Sequence, residues 1–326
     1  MESPMLPEEL SYKILALDAA NHSLLLINGP TGEILKELPY PAKFTPLDLS
    51  ITPDFSKAFL PMSGGNNTGA LFIANLTSLS LYGLPFDIPH PSQFAFAPST
   101  NSVYIVDPTG MLYAIDTVTM AVTPWGKPES EKTACAGLAA DGSAIYSVWE
   151  HNDTGTLAVF SPKGELTYEY QLPGIPTNII LSHHDHIIVP FTTTNFTNEG
   201  VAIFDKKQDG VSAAITLKSC IYTNTLSPYT TYPSHVATNP DEHIAYIVNE
   251  ESASITVIDL ETTSINRHIP LGRSISCLHI LPGGQFAIAS SHMFADLSLI
   301  DLVNGRLLSV TDSPREILGF IAVMPD

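Results

Sequence analysis

Hydrophobic and polar positions recur along this chain in a fixed order. A short segment of alternating apolar residues, ending in Pro-Asp, Pro-Gly or a similar turn pair, returns throughout the sequence. Alternation with a period of two predicts a β-strand, and Pro, Asp and Gly predict a tight turn at its end. Its seven eight-residue copies, of which the fourth is the loosest, begin at Leu47, Ser92, Cys135, Thr177, Ser234, Ser276 and Gly319.

Each of the first six copies is followed by three further apolar runs. The first run is rich in β-branched and aromatic residues, as in VYIVD or AYIVN, and the second usually ends in Asp or Asn. Counted from Asn28, these endings are 47, 41, 45, 44, 54 and 42 residues apart. Four short strands every roughly 40 to 50 residues are typical of a β-propeller blade.

The two ends of the chain complete one another. Ser11–Asp18 has the position of a second strand in the repeat, whereas Gly319–Asp326 is a first strand with nothing after it. Pairing the two closes the ring and leaves no open sheet edge. We therefore predict an all-β, seven-bladed β-propeller, one domain over 1–326, whose first blade combines about 11–40 with 315–326. A large β-sandwich or two all-β domains are the alternatives, but neither has a reason to repeat at this period.

One blade resembles a known repeat family. Residues 245–272, AYIVNEESASITVIDLETTSINRHIPLG, look like the YVTN-type β-propeller repeat, which has a YVTN-like strand, a Ser-rich loop, a VSVID strand and a closing strand ending in IPVG. The likeness is fair in 103–122 and 297–310, and elsewhere only the strand pattern remains. The resemblance implies the propeller fold, in proteins often exported or surface-associated in microbes. Its motif is structural and carries over no catalytic residue.

Composition narrows the choice of partners. The chain has 33 Asp and Glu against 14 Lys and Arg, a formal net charge of −19. Such a surface repels phosphate backbones, so we expect no nucleic-acid partner. No stretch approaches the ~18 apolar residues of a membrane helix, and we expect no integral membrane segment. Three scattered cysteines predict neither a disulfide framework nor a zinc motif.

The N-terminal segment bears on the compartment. It reads MESPMLPEE, which is acidic and lacks the basic and apolar regions of a signal peptide. As written, the sequence predicts a cytoplasmic protein, and we expect a monomer. If Met1 stood in place of a removed signal, the protein would be extracytoplasmic.

In a propeller, one residue per blade stands where the innermost strand begins, at one end of the central channel. Aligning the copies on their turns places seven residues there: Asp48, Gln93, Cys135, Asn178, His235, Cys277 and Phe320. Six of them are polar or carry a thiol, although their strands are otherwise apolar. A ring facing water in the channel gives this pattern, and so does ordinary solvation of strand starts.

Loops that follow the second strands reach the same mouth of the channel. They contribute Glu150, His151, Asn249, Glu250, Glu251 and His292. Together with Asp48 and His235 they predict an acidic, histidine-bearing mouth. Because imidazole with carboxylate suits Mn²⁺, Zn²⁺ or Fe²⁺, a divalent metal at Asp48 and His235 is one hypothesis. No ligand spacing in the sequence requires it, and no other cofactor is expected.

The longest spacing between repeats marks an insertion. Ser219–Pro233, SCIYTNTLSPYTTYP, leads into the innermost strand that carries His235, so we expect it over the mouth. It carries Tyr222, Tyr229 and Tyr232, whose rings combine an apolar face with a polar tip. Long loops in compact domains are often functional, which makes this segment the best single candidate for a binding element. An inert insertion over the blade junction is the alternative.

Two kinds of function fit these residues. The first is binding of a small polar ligand, a glycan or a partner protein, through Gln93, Asn178, Tyr222, Tyr229, Tyr232, His151, Glu250, His292 and Phe320. A scaffold of this kind is expected to have a broad, shallow face that is covered by loops.

The second is a propeller enzyme, a lyase or a lactonase-type hydrolase. His235 would be the general base, Glu150 or Asp48 would orient it, and Tyr232 would donate a proton. The usual motifs of hydrolases, P-loop proteins and metalloproteases are absent from the sequence. An enzyme predicts histidine and carboxylate groups that converge in a deep pocket and have shifted pKa values.

Overall fold

β-Strands make up most of the part of this molecule that the structure describes. The computed structural model describes residues 11–325 except 53, 66–67, 87, 89–90, 98–99, 127–133, 183–184, 197, 209–212, 224–230, 240–242, 292, 295 and 313–316. The described residues form β-strands and no α-helix, and the strands are grouped in seven sheets.

The chain begins with the three outer strands of the first blade, β1 (Tyr12–Asp18), β2 (Ser23–Asn28) and β3 (Ile34–Pro39). The second blade contains β4 (Phe44–Pro46), β5 (Ser50–Ile51), β6 (Lys57–Gly64), β7 (Gly69–Asn75) and β8 (Ser80–Phe86). The third contains β9 (Gln93–Ala97), β10 (Ser102–Val106), β11 (Leu112–Asp116) and β12 (Val122–Gly126). The fourth contains β13 (Ala134–Ala140), β14 (Ile145–His151), β15 (Thr154–Phe160) and β16 (Leu166–Leu172).

The fifth blade contains β17 (Ile175–Pro176), β18 (Ile180–Leu181), β19 (His186–Thr192), β20 (Gly200–Gln208) and β21 (Ala213–Tyr222). The sixth contains β22 (Pro233–Thr238), β23 (Ile244–Asn249), β24 (Ser254–Asp259) and β25 (Ser264–Pro270). The seventh contains β26 (Cys277–Ile280), β27 (Phe286–Ser290), β28 (Asp296–Asp301) and β29 (Arg306–Asp312). The last strand is β30 (Ile317–Pro325).

Both ends of the chain build the first blade. β30 pairs antiparallel with β1, so that Tyr12 lies opposite Pro325 and Ala16 opposite Ile321, and the sheet has the order β3-β2-β1-β30. The predicted fold is thus confirmed: an all-β, seven-bladed propeller whose ring is closed by a C-terminal innermost strand.

The hydrophobic core lies between the blades. Seven clusters of buried side chains each join two neighbouring blades, and together they go once around the ring. Second and third strands face a neighbour on both sides, which is why β2 is almost wholly apolar and buried, while the outer strand β3 is largely exposed. Trp149, only 1% exposed, packs between the third and fourth blades in the cluster that contains Tyr104.

The Asp or Asn at the end of the third strands shapes the turn that follows. In Asp116 the Oδ1 atom accepts hydrogen bonds from the backbone N–H groups of Val118 and Thr119 at 2.8 and 2.7 Å. Asn75 and Asp301 accept equivalent bonds from residues two or three positions ahead. A side chain that satisfies turn amides favours the turn over continued strand, so the repeated ending has a structural cause.

The structure departs from the sequence expectation at two places. β21 extends to Tyr222, so the first residues of the expected insertion belong to the outer strand of the fifth blade. The innermost strands of the second and fifth blades are each interrupted, between β4 and β5 and between β17 and β18. Asp48 and Asn178 lie in these two interruptions.

Candidate functional site

A cavity of about 760 Å³ opens where the innermost strands begin, at one end of the channel. Eight of the residues expected at the mouth line it: Asp48, Gln93, Glu150, Asn178, Tyr232, His235, Glu250 and Cys277. They come from the second to the seventh blade. The described residues of the cavity wall therefore come from six of the seven blades, and the size of the cavity falls in the range of small-molecule sites.

The two interrupted strands present their polar side chains in the same way. Oδ1 of Asp48 accepts the backbone N–H of Leu49 at 2.6 Å, and Oδ1 of Asn178 accepts that of Ile179 at 2.7 Å. Each side chain thus satisfies a backbone group that is not paired in the strand ladder at that point. Because the strand is interrupted at each of these two residues, both side chains line the cavity.

Asp48 lies inside the ring of blades, where its side chain is largely buried but keeps some contact with water in the channel. Burial raises the pKa of Asp48 to about 6, against the smaller opposing effect of the Leu49 hydrogen bond. The group therefore exchanges its proton close to neutral pH. No salt bridge to Asp48 is present among the described residues.

His235, Cys277 and His279 form a chain of contacts in the channel wall. Sγ of Cys277 lies 3.6 Å from Nε2 of His235 and 3.2 Å from Nε2 of His279. Burial lowers the pKa of His279 to about 4, and burial together with the neighbouring His279 lowers that of His235 to about 3. Burial, then the negative charge of Asp48, raises the pKa of Cys277 to about 12. At neutral pH this chain is uncharged, with two imidazoles beside a thiol.

Hydrogen bonds between blades hold the segment that carries His235. Oγ1 of Thr177 donates to the carbonyl of Pro233, and Nδ2 of Asn178 donates to the carbonyl of Ser234 at 3.3 Å. The fifth blade thus sets the position at which the sixth blade begins. His235 is placed by its neighbour as well as by its own strand.

Tyr232 stands at the rim with the acidic loop of the sixth blade. Its φ of 46° is a left-handed conformation that is uncommon for a residue with a side chain, and its carbonyl accepts the backbone N–H of Glu250 at 3.1 Å. Burial raises the pKa of Tyr232, and the negative charges of Glu250, Glu251 and Glu150 add to this effect. The phenol is therefore protonated at neutral pH and surrounded by carboxylates.

Several residues expected at the mouth lie elsewhere. Cys135 is buried against Trp149 between two blades and is not part of the cavity wall, because its strand bulges between Cys135 and Gly137. Asn249 is buried and donates to Thr256 at 2.8 Å. His151 pairs with Thr154 in a tight hairpin outside the cavity wall, and Tyr222 ends an outer strand, where its ring packs edge-on against Phe191.

The remaining expected residues are not described by the structure. Tyr229 and His292 lie outside the described residues, and Phe320 belongs to β30 but its side chain is not among those described. Within the described part of the chain, no group of three or more His, Cys, Asp or Glu side chains is arranged to hold a metal ion. A metal at Asp48 and His235 thus gains no support from the geometry.

Two residues of the site were not expected from the sequence. His279 follows Cys277 by two positions, so the alternation of a strand places both on the channel face, and this signal was available. Glu199 is fully buried beside Tyr232, and its place in a loop of the fifth blade shows no pattern in the sequence.

No family model matches this chain, and no curated protein matches it in sequence. Membership of the YVTN repeat family is therefore not confirmed. The chain is similar in structure to a functionally unknown protein from Desulfotomaculum acetoxidans, with 15% identity, a TM-score of 0.74 and coverage of 96% of this chain and 99% of that one. It is also similar to a proposed 6-phosphogluconolactonase from Bacteroides uniformis, with 15% identity, a TM-score of 0.69 and coverage of 96% and 99%.

A further similar structure is apo AztD from Citrobacter koseri, with 11% identity, a TM-score of 0.65 and coverage of 96% and 98%. Identities this low show the fold alone. The seven sheets of the structure itself make the chain a seven-bladed β-propeller. Among the residues that the structure describes, no helix is long and apolar enough to span a membrane.

Proposed function

We propose that the cavity at the channel mouth binds a small polar molecule that is uncharged or positively charged. The observation that carries this proposal is the composition of the cavity wall. Asp48, Glu150 and Glu250 line it, and no Lys or Arg is among the described residues that do so. An anion would meet carboxylates without a cation to offset them, which is unfavourable in a partly dry site.

The shape of the cavity supports a small molecule over a protein partner. A space of about 760 Å³ lies within the ring, whereas a protein would dock on a broad and shallow face. Amide, imidazole and phenol groups from Asn178, His235 and Tyr232 offer both donors and acceptors. Such a wall suits hydroxyl and amine groups of a ligand, because each finds a partner when it leaves water.

Thermal unfolding with three matched probes tests the proposal. Spermidine represents cations, glucose represents neutral polyols, and gluconate represents anions of similar size. We expect a rise in Tm with spermidine or glucose and none with gluconate. The rise should be lost in Glu250→Gln and Asn178→Ala and kept in Glu165→Gln, an exposed carboxyl on the opposite end of the ring. A rise with gluconate alone, or one that the cavity variants leave unchanged, contradicts the proposal.

A second candidate is an enzyme at the same cavity, favoured by the shifted pKa values of Asp48, His235 and Tyr232. A histidine with a pKa of about 3 is a weak base near neutral pH, whereas a carboxyl with a pKa of about 6 is well matched to proton transfer. The general base of such an enzyme is therefore Asp48, with Tyr232 as the proton donor. Hydrolysis of glucono-δ-lactone by the parent, lost in Asp48→Asn, would put this candidate first.

A further inference from the structure

Glu199 is a buried carboxylate at the edge of the candidate site. It lies immediately before β20, and its side chain is 0% exposed. In the described part of the chain it makes no ion pair, and hydrogen bonds alone meet its charge. A carboxylate buried without a cation is costly unless several donors surround it.

The donors to Glu199 come from the segment that leads into the sixth blade. Oε1 accepts the backbone N–H of Tyr232 at 3.1 Å and the hydroxyl of Thr192 at 2.9 Å. Oε2 accepts both the backbone N–H and the hydroxyl of Thr231, the latter at 3.0 Å. Thr192 and Tyr232 both line the cavity, so the carboxylate stands directly behind its wall.

The same residue holds the other end of the insertion. The backbone carbonyl of Glu199 accepts the N–H of Thr223 at 2.9 Å, and the hydroxyls of Thr223 and Thr231 lie 3.0 Å apart. Thr223 and Thr231 flank residues 224–230. One residue therefore fixes both the point where the insertion leaves the fifth blade and the point where it returns to the mouth.

The conformation of Tyr232 explains why such a clamp is needed. Its φ of 46° is unfavourable for a residue other than glycine and persists only when surrounding bonds hold it. The bond from its N–H to Glu199 and the bond to its carbonyl from Glu250 are two such restraints. Loss of the Glu199 carboxylate removes one of these two restraints on the conformation of Tyr232.

We propose that Glu199 is the positioning residue of the mouth, which sets Tyr232 and the ends of the insertion in the conformation that receives a ligand. This inference rests on the proposed function for the ligand, but the conformational part can be measured without one. Glu199→Gln is the informative variant, because an amide keeps the size of the side chain but brings an NH₂ group to face the donors.

Hydrogen–deuterium exchange tests the conformational part on the free protein. In Glu199→Gln we expect the peptides covering 219–234 to exchange about tenfold faster, as follows from the loss of about 1.4 kcal/mol of local hydrogen bonding. Peptides covering β25 should not change. Asp301→Asn, a buried carboxyl at the opposite end of the ring, should leave 219–234 as in the parent. Unchanged exchange in 219–234, or equally faster exchange in every blade, overturns the inference.

A second variant, Thr231→Ala, provides a test in case Glu199→Gln does not fold. Thr231→Ala removes one hydroxyl donor and keeps the carboxylate, and we expect a smaller acceleration in the same peptides. Titration with the probe that raises the Tm of the parent, spermidine or glucose, then separates the two proposals. A weaker Kd in Glu199→Gln than in Asp301→Asn supports the positioning role in binding, and equal Kd values contradict it. Spermidine and glucose could fail to bind the parent while residues 219–234 exchange faster in Glu199→Gln, as expected. That result would contradict the proposed function and still support the role of Glu199 in holding this segment.

Discussion

The thiol of Cys277 lies 3.2 Å from Nε2 of His279 in the wall of the channel. Burial raises the pKa of the thiol to about 12 and lowers that of the imidazole to about 4, so neither group is charged near neutral pH. The thiol can donate a hydrogen bond to the neutral imidazole, and it is a poor nucleophile because it is not ionised. This pair is therefore a neutral polar lining of the channel rather than a reactive cysteine site.

Histidines that are buried in the neutral form make stability depend on pH. An unfolded chain protonates His279 near pH 6.5, whereas the folded chain does so only near pH 4. Between these values the unfolded state binds more protons, so this group lowers stability as the pH falls below 6.5. We expect His279→Gln to reduce the loss of unfolding free energy between pH 6.5 and 5 by about 1 kcal/mol.

Urea unfolding of the parent and the variant at both pH values measures this difference. His243→Gln, which removes an exposed histidine at the opposite end of the ring, is the matched control and should behave as the parent does. A parallel pH dependence in His279→Gln and the parent would contradict this prediction, because it would mean that the pKa of His279 is the same in the folded and the unfolded chain.

The contribution of Asp48 to stability changes with pH in the opposite direction to that of His279. Its folded pKa of about 6 lies above the unfolded value of 3.8, so the folded state binds more protons between these values. The contribution of this group to stability is present at low pH and is lost as the pH rises through 6. Asn keeps an oxygen for the Leu49 N–H and carries no charge. We expect Asp48→Asn to be more stable than the parent by about 1 kcal/mol at pH 7 and equal to it near pH 4.

The same urea titrations, extended to pH 4, measure this crossover. A variant that is less stable than the parent at every pH would show that the Asp48 carboxylate has a partner that the structure does not reveal. Binding sites often contain a charged group that destabilises the folded state, because the group is needed for function.

An ion pair across two blades is expected to hold the fourth blade against the fifth. Nζ of Lys206 lies 3.0 Å from Oδ2 of Asp141 and 3.2 Å from Oδ1 of Asp185. Burial alone would raise the pKa of Asp141, but hydrogen bonds from Ser143 and Lys206 outweigh it and hold the pKa below its ordinary value. Lys206→Met should cost about 2 kcal/mol at pH 7, as for hydrogen bonds to charged groups.

The folded pKa of Asp141 lies below the ordinary 3.8, so the unfolded chain takes up a proton there before the folded one does. The stabilisation from this ion pair, and with it the cost of Lys206→Met, should therefore shrink as the pH falls below 3.8. Denaturant unfolding at pH 7 and 3.5 measures both quantities. Lys163→Met, at an exposed lysine, should change neither. A cost in Lys206→Met that is the same at both pH values would point to lost packing rather than lost charge.

The turn after the third strand of the seventh blade offers a test of the repeat itself. Asp301 accepts the backbone N–H of Asn304 at 2.9 Å and its Nδ2 at 2.7 Å. Asp301→Ala removes both bonds and should lower the unfolding free energy by about 2 kcal/mol. Asp301→Asn keeps one oxygen acceptor, so less than half of this loss is expected. Equal losses in the two variants, measured in urea, would contradict the role assigned to the turn.

The fold was predictable because its signals are repeated and local. Asp116 and Asp301 end third strands for the same reason, namely that their side chains hold the next turn, and this pattern is visible in the sequence. The closure of the ring followed from counting strands at the two ends. Ile321 then lies opposite Ala16, as a shared first blade requires.

The site was predictable only in part, because a strand start does not reveal which way its side chain turns. Asp48 and Asn178 reach the cavity through interruptions of their strands, whereas a bulge turns Cys135 into the space between two blades. The role of Glu199 depends on contacts with residues 32 and 33 positions away, which no local pattern encodes. The direction in which these side chains point is set by packing between blades, which the sequence pattern does not show.

A crystal structure of the protein grown with spermidine or glucose, whichever raises Tm more, would show directly where the ligand binds. We expect the probe inside the channel mouth, within hydrogen-bond distance of at least two of Asp48, Asn178 and Glu250. A probe bound on the outer strands, or at the opposite end of the ring with the cavity holding only water, would contradict it.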